Sequence, residues 1–287
     1  MAFEILNNAT ITPHRLHTMI LLVSRLHEPK EKDVFNWLQP VSLNKNQNTS
    51  RDVFNAARHC NLLEENSQGV ISLTVDADQI ASMQGFRHHM QRVLTGITGD
   101  QENNYLLNIY TAWYAVQQEQ VFGFERKDFE VNFNKRVYPD SEERHFNTTK
   151  LNGWRTWAAF LGWGRVMKIR TFDILIPDAT ERIAPILCDL LPDGKQIIPF
   201  GTFAKHLSAA CPELDGGALF NYCWQASRGD EQQGNTLSLM LSTALRVLDT
   251  RGQIALVRHA DAEQLWQLFP AMGQSVQTVS HIQRRDM

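Results

Sequence analysis

The chain has 287 residues, 43% of them hydrophobic and 21% charged, which is enough apolar material for a real core and excludes wholesale disorder. With 28 Lys and Arg against 31 Asp and Glu, the net charge of -3 and pI near 6.4 exclude a polybasic protein whose affinity comes from whole-molecule charge. A local basic face stays open. The length predicts two domains, or one large domain with subdomains.

Thr12-Pro13 opens the first helix: Thr caps, and Pro is tolerated where its missing N–H costs nothing. Leu16, Met19, Ile20, Val23 and Leu26 follow at helical spacing, and the helix stops before Pro29. A second helix runs from about Glu31 to Leu38 and ends at Pro40. After the polar loop 44–48, Thr49 or Ser50 caps a third helix with Val53, Phe54, Ala57 and Cys60 inward. The turn 64–69 leads into the β-rich run 70–75. Three short helices, a turn and a strand is the order of a winged helix-turn-helix.

Residues 76–170 read as mostly helical, with candidates over 81–94, 105–118, 122–133 and 152–161. The last places Trp154, Trp157, Phe160 and Leu161 on one side and ends at Gly162-Trp163-Gly164. A second unit begins near Phe172. Asp178 caps a helix through Leu191, and Pro185 inside it kinks or shortens its first turn. Helices follow over 200–211 and 237–248, with 214–226 as a helical insert between them. Residues 253–258 alternate as a strand, with 264–268 as its return. The helix, helix, helix, strand, strand order thus occurs twice. The expected fold is mainly α with minor β: a winged-helix unit over 1–78, a helical middle over 79–170, and a winged-helix-like unit over 171–287.

The strongest electrostatic feature is local. From His145 to Phe172 there is no Asp or Glu, while Lys150, Arg155, Arg165, Lys168 and Arg170 are interleaved with Trp154, Trp157 and Trp163. Cations that neutralise phosphates beside rings that stack on bases suit a nucleic-acid surface. Tryptophans at helical spacing are more often core, with the Arg side chains solvated on the other face. In the first unit Lys45 precedes the third helix, and Arg51, Arg58 and His59 lie on it. The corresponding helix of the second unit is very apolar, with only Arg246 and Arg251 basic, so protein packing is at least as good a reading there.

The four scattered cysteines, Cys60, Cys188, Cys211 and Cys223, read as buried reduced thiols, with no disulfide framework and no CxxC. The ten histidines form no HxH, HxxxH or HExxH spacing, and no GxGxxG, GxxxxGK or GxSxG occurs. The expectation is a chain that is not an enzyme, with no cofactor and no metal. No run reaches the roughly 18 apolar residues of a membrane span, and the N-terminus has no basic region ahead of an apolar one, so the cytoplasm is the expected compartment.

Thr12-Pro13-His14-Arg15-Leu16, the Trp154-x-x-Trp157-x-x-Phe160-Leu161-Gly162 signature and Ala244-Leu245-Arg246-Val247-Leu248-Asp249-Thr250-Arg251-Gly252 together resemble DpdG proteins over nearly the whole chain. These are accessory members of bacterial gene clusters that put 7-deazaguanine derivatives into DNA and restrict unmodified DNA. The resemblance implies a non-catalytic subunit of a restriction or anti-phage defence system, working beside separate helicase-type and nuclease-type partners and binding double-stranded DNA, partner subunits or both. It supplies no catalytic residues. Two other readings fit the architecture: a winged-helix transcriptional regulator, and a winged-helix subunit of an SMC-type complex.

Overall fold

A computed structural model describes residues 2–123, 126–169, 172–192, 196–229, 235–271, 273 and 276–285. About half of the chain is helical, with a few small sheets, so the protein is mainly α. The first three helices are α1 (Pro13–Val23), α2 (Glu31–Leu38) and α3 (Asn48–His59). The Thr12 hydroxyl caps α1 by accepting from the Arg15 N–H at 3.3 Å. The strands β1 (Leu63–Glu65) and β2 (Ile71–Leu73) then form an antiparallel hairpin. An isolated antiparallel bridge joins Lys30, just before α2, to Val70, just before β2.

The middle is built on α6 (Tyr105–Val116), in which every residue is buried. A helix with no polar face must be surrounded. Around it in sequence lie α4 (Ala77–Ile80), α5 (Met83–Leu94), α7 (Arg126–Val137) and α8 (Thr148–Leu161). The helix expected over 122–133 thus starts and ends four residues later.

Helix α8 is where the parts of the chain meet, and three indole N–H groups show it. Trp157 donates to the Ile11 carbonyl at 3.0 Å, in the N-terminal unit. Trp154 donates to the Thr111 hydroxyl on α6 at 3.1 Å. Trp163, just past the helix, donates to Glu213 at 2.9 Å, in the C-terminal unit. All three rings are fully buried. Gly162 ends α8 at φ +89°, a left-handed turn that disfavours a side chain.

After α8 the chain forms a hairpin of β3 (Gly164–Ile169) and β4 (Phe172–Pro177), with six paired positions. The expected boundary at 170/171 falls between these two strands. The helix expected from Asp178 to Leu191 is broken into α9 (Thr180–Ile183), a 3-10 turn containing Pro185, and α10 (Leu187–Leu190). Proline removes a donor and clashes with the preceding turn, which accounts for the break.

The C-terminal unit continues with β5 (Ile197–Pro199), α11 (Phe200–Ala210), α12 (Ala218–Arg228), α13 (Leu239–Thr250) and β6 (Ile254–Val257). The strand expected to return on β6 does not. The return strand is β9 (His281–Arg284), in a sheet of order β5-β9-β6. The segment expected in that place forms β7 (Trp266–Gln267), which pairs with β8 (Thr278–Val279). Within β9 Ile282 is buried between half-buried His281 and Gln283, and the strand lies far from β6 in sequence. In the N-terminal unit the bridge at Lys30, before α2, meets the segment entering β2, which pairs with β1 after α3; in the C-terminal unit β5, before α11, pairs with β9, which pairs with β6 after α13. One continuous apolar cluster runs from Ile5 to Ile282, so the three expected parts share a core.

Candidate nucleic-acid interface

Helix α3 buries Ser50, Val53, Phe54, Ala56 and Ala57 and exposes Asn48, Arg51, Asn55 and Arg58. These four recur at intervals of three and four residues, which is one face of a helix, and His59 at the helix end is exposed beside them. Asn and Arg are the side chains that read adenine and guanine edges in pairs of hydrogen bonds. Arg51 has no side-chain partner among the described residues. Lys45 is exposed in the loop ahead of the helix. Arg58 meets Glu65 at 3.5 Å with both side chains part-exposed, a loose pair that leaves the guanidinium accessible. His59 stacks on Phe3 with ring centroids 4.3 Å apart, so its ring packs against the protein. His14 and Arg15 of α1 line a groove with Thr49 and Ser50. Strand β1 carries Glu64 and Glu65, both exposed, so the strands beyond α3 offer no cation to a phosphate.

Helix α13 is the opposite case. Met240, Leu241, Ser242, Ala244, Leu245, Arg246 and Leu248 are all buried. Arg246 donates Nε and Nη2 to the Val276 carbonyl at 3.3 and 3.1 Å, and burial pulls its pKa down. Its half-buried positions are Leu239, Thr243, Val247 and Asp249, and none is basic, so α13 offers no basic face to a groove. Arg251, at its end, is half-exposed and bonds Glu181 at 2.8 Å, and the other oxygen of Glu181 faces Arg87 at 3.6 Å.

The acid-free segment divides in the same way. Its tryptophans are core and unavailable for stacking on bases. Lys150 is only 6% exposed, and its ammonium donates to the Glu143 and His145 carbonyls at 2.7 and 3.0 Å. Burial lowers its pKa, opposed by the nearby Glu4 and Glu143 carboxylates. Lys150 therefore corrects the expectation of a surface contact: its charge is used inside the protein. Arg155 is half-buried and partnered. Arg165 reaches back to Asp178 at 2.9 Å with its side chain 73% exposed. Lys168 is exposed on β3 opposite Asp173, beside exposed Val166 and Met167. Arg170 lies outside the described residues. The structure thus scatters the segment instead of gathering it into one basic face.

A model of the DpdG-like family matches residues 3–262. The chain belongs to the DpdG-like family. No curated protein and no solved structure matches it.

Elsewhere Cys60, Cys211 and Cys223 are buried, with burial raising each thiol pKa, while Cys188 is exposed, against the expectation for all four. Among the described residues no three His, Cys, Asp or Glu side chains group as a metal site, and no helix is long and apolar enough to cross a membrane. Asn48 and Asn55 were not among the expected contacts. Their signal was present: they are the polar complement of the buried stripe Ser50, Val53, Phe54 and Ala57.

Proposed function

We propose that this DpdG-like chain is a non-catalytic, DNA-binding subunit of a bacterial restriction or anti-phage defence system. Its N-terminal unit acts as a winged helix, with α3 entering the major groove. The observation that carries this reading is the contrast between the two third helices. Helix α3 presents Asn48, Arg51, Asn55 and Arg58 to solvent, whereas α13 is mostly buried and its half-buried positions carry no cation. The three helices, the hairpin and the Lys30–Val70 bridge supply the parts of a winged helix.

The test is fluorescence anisotropy of a labelled duplex with the full chain at several salt concentrations. If Arg15, Lys45 and Arg51 each neutralise one phosphate, log K falls against log salt with a slope of about -3. The double substitution Lys45→Glu, Arg51→Glu abolishes this binding. Undiminished binding by that variant refutes the assignment.

A second reading, protein docking by the same unit, is favoured by Trp37, Val41 and Leu43, which are 68%, 51% and 84% exposed around the end of α2. Exposed aromatic and aliphatic side chains suit a protein partner better than a phosphate. Trp37→Ala separates the two readings: loss of copurifying subunits with DNA binding intact assigns this corner to a protein.

A further inference from the structure

The hairpin of β3 and β4 is a sheet of two strands, and the two have different surroundings. On β4, Ile174 and Leu175 are 4% and 1% exposed and Pro177 is buried, so that strand lies against the body of the protein. On β3, Arg165, Val166, Met167 and Lys168 are all exposed, Val166 by 46% and Met167 by 52%. Successive strand residues point to opposite faces, so both faces of β3 are open here. One face carries Arg165 and Met167, the other Val166 and Lys168.

The outer edge of β3 is open as well. In an antiparallel ladder every other residue turns its N–H and C=O away from the neighbouring strand. Among the described residues no backbone hydrogen bond from outside the hairpin reaches residues 165–168. Proteins blunt exposed edges with very short strands, proline, bulges or cover. Strand β3 instead pairs with β4 through six consecutive positions and contains no proline. An open edge of that length with two exposed apolar side chains is a template for a further strand.

The charges select that strand. The hairpin 164–177 has Arg165, Lys168 and Arg170 against one acid, Asp173. Its inner edge already shows what β3 accepts. Asp173 stands opposite Lys168, Ile174 opposite Met167 and Leu175 opposite Val166, and Asp178, just beyond β4, meets Arg165 at 2.9 Å. The antiparallel self-pairing that sets Val166 against Met167 of a second copy also sets Arg165 against Lys168, and like charges directly opposite destabilise a pair. We propose that β3 takes an acidic extended segment of a different protein as a third strand. Carboxylates of that segment lie beside Arg165 and Lys168, and aliphatic side chains cover Val166 and Met167. The surface is formed by other elements than α2 and α3, so it is independent of DNA binding there and of the corner at Trp37.

Fluorescence anisotropy of a labelled peptide with the full chain tests it. The peptide has about eight residues, a Glu-Val-Val-Glu centre flanked by Thr, and its counterpart carries Lys in place of Glu. The acidic peptide binds, and roughly ten-fold or more tightly than the lysine peptide. Methylating alternate backbone nitrogens of the acidic peptide, those that face β3, weakens it by roughly ten-fold or more, which a purely ionic contact would not show. Hydrogen exchange over 164–169 slows when the acidic peptide is bound. Lys168→Glu weakens the acidic peptide and tightens the lysine one, while Trp37→Ala and the Lys45→Glu, Arg51→Glu variant bind as the wild type does. No binding of either peptide at about 1 mM, equal affinity for the two, or an N-methylated peptide that binds as well overturns the proposal. A free chain that sediments as a dimer and becomes a monomer with Met167→Lys overturns it too, and assigns the edge to a second copy. Duplex DNA binding lost in Lys168→Glu also overturns it, and makes the hairpin part of the DNA surface.

Discussion

Glu4 gives the prediction most directly worked from the structure. Its side chain is 8% exposed and lies against the start of α6. There Oε1 accepts from the Leu106 N–H at 3.0 Å while Oε2 has no partner. Burial raises its pKa from the ordinary 4.5 to about 7, although the Leu106 N–H, Lys150 and Arg144 all oppose the rise. The folded protein therefore holds this proton more tightly than the unfolded chain does. The resulting stability is fully present below pH 4.5 and is lost as pH rises through about 7. A rise of some 2.5 units corresponds to about 3 kcal/mol. Glu4→Gln keeps an oxygen for Leu106 and removes the titration. Urea unfolding of both proteins near pH 5 and near pH 8 isolates the term, because other carboxylates cancel in the difference. The variant gains about 2.5 kcal/mol relative to wild type between the two pH values, since part of the loss already lies below pH 5. A difference that stays constant within about 1 kcal/mol refutes the burial argument.

Two further substitutions probe how the parts are joined. Gly162→Ala places a methyl group 2.6 Å from the Glu181 carbonyl carbon and 2.7 Å from the Arg182 nitrogen, at a positive φ. Backbone cannot yield as a side chain can, so the loss is about 2 kcal/mol or more by urea unfolding, and a neutral result contradicts the close approach. Lys150→Met strands the Glu143 and His145 carbonyls that the ammonium now satisfies. It costs about 2 kcal/mol while the folded protein binds DNA as before, and weakened DNA binding at full stability would return Lys150 to the surface.

Local signals in the sequence carried as far as local physics does. The Thr12 cap, the three helices of the N-terminal unit and the inward Trp154 and Trp157 followed from capping chemistry and helical periodicity. The apolar character of α13 already pointed to packing. Non-local facts did not follow. The pairing of β6 with β9 depends on a strand some 25 residues away, beyond the nearer segment that pairs with β8 instead. The absence of acids between residues 145 and 172 is a property of the line of sequence. Which of its cations reach solvent depends on carbonyls and carboxylates brought from elsewhere, as Lys150 and Arg165 show. Arg182 is likewise held by Glu213 from another part of the chain.

The central claim is that one of the two similar units meets DNA and the other does not. Hydrogen exchange of the full chain, free and saturated with duplex DNA, tests it at peptide resolution. The account predicts new protection over residues 44–59 and none over 239–250. Protection confined to 239–257, or to the hairpin 164–177, with 44–59 unchanged, would contradict it.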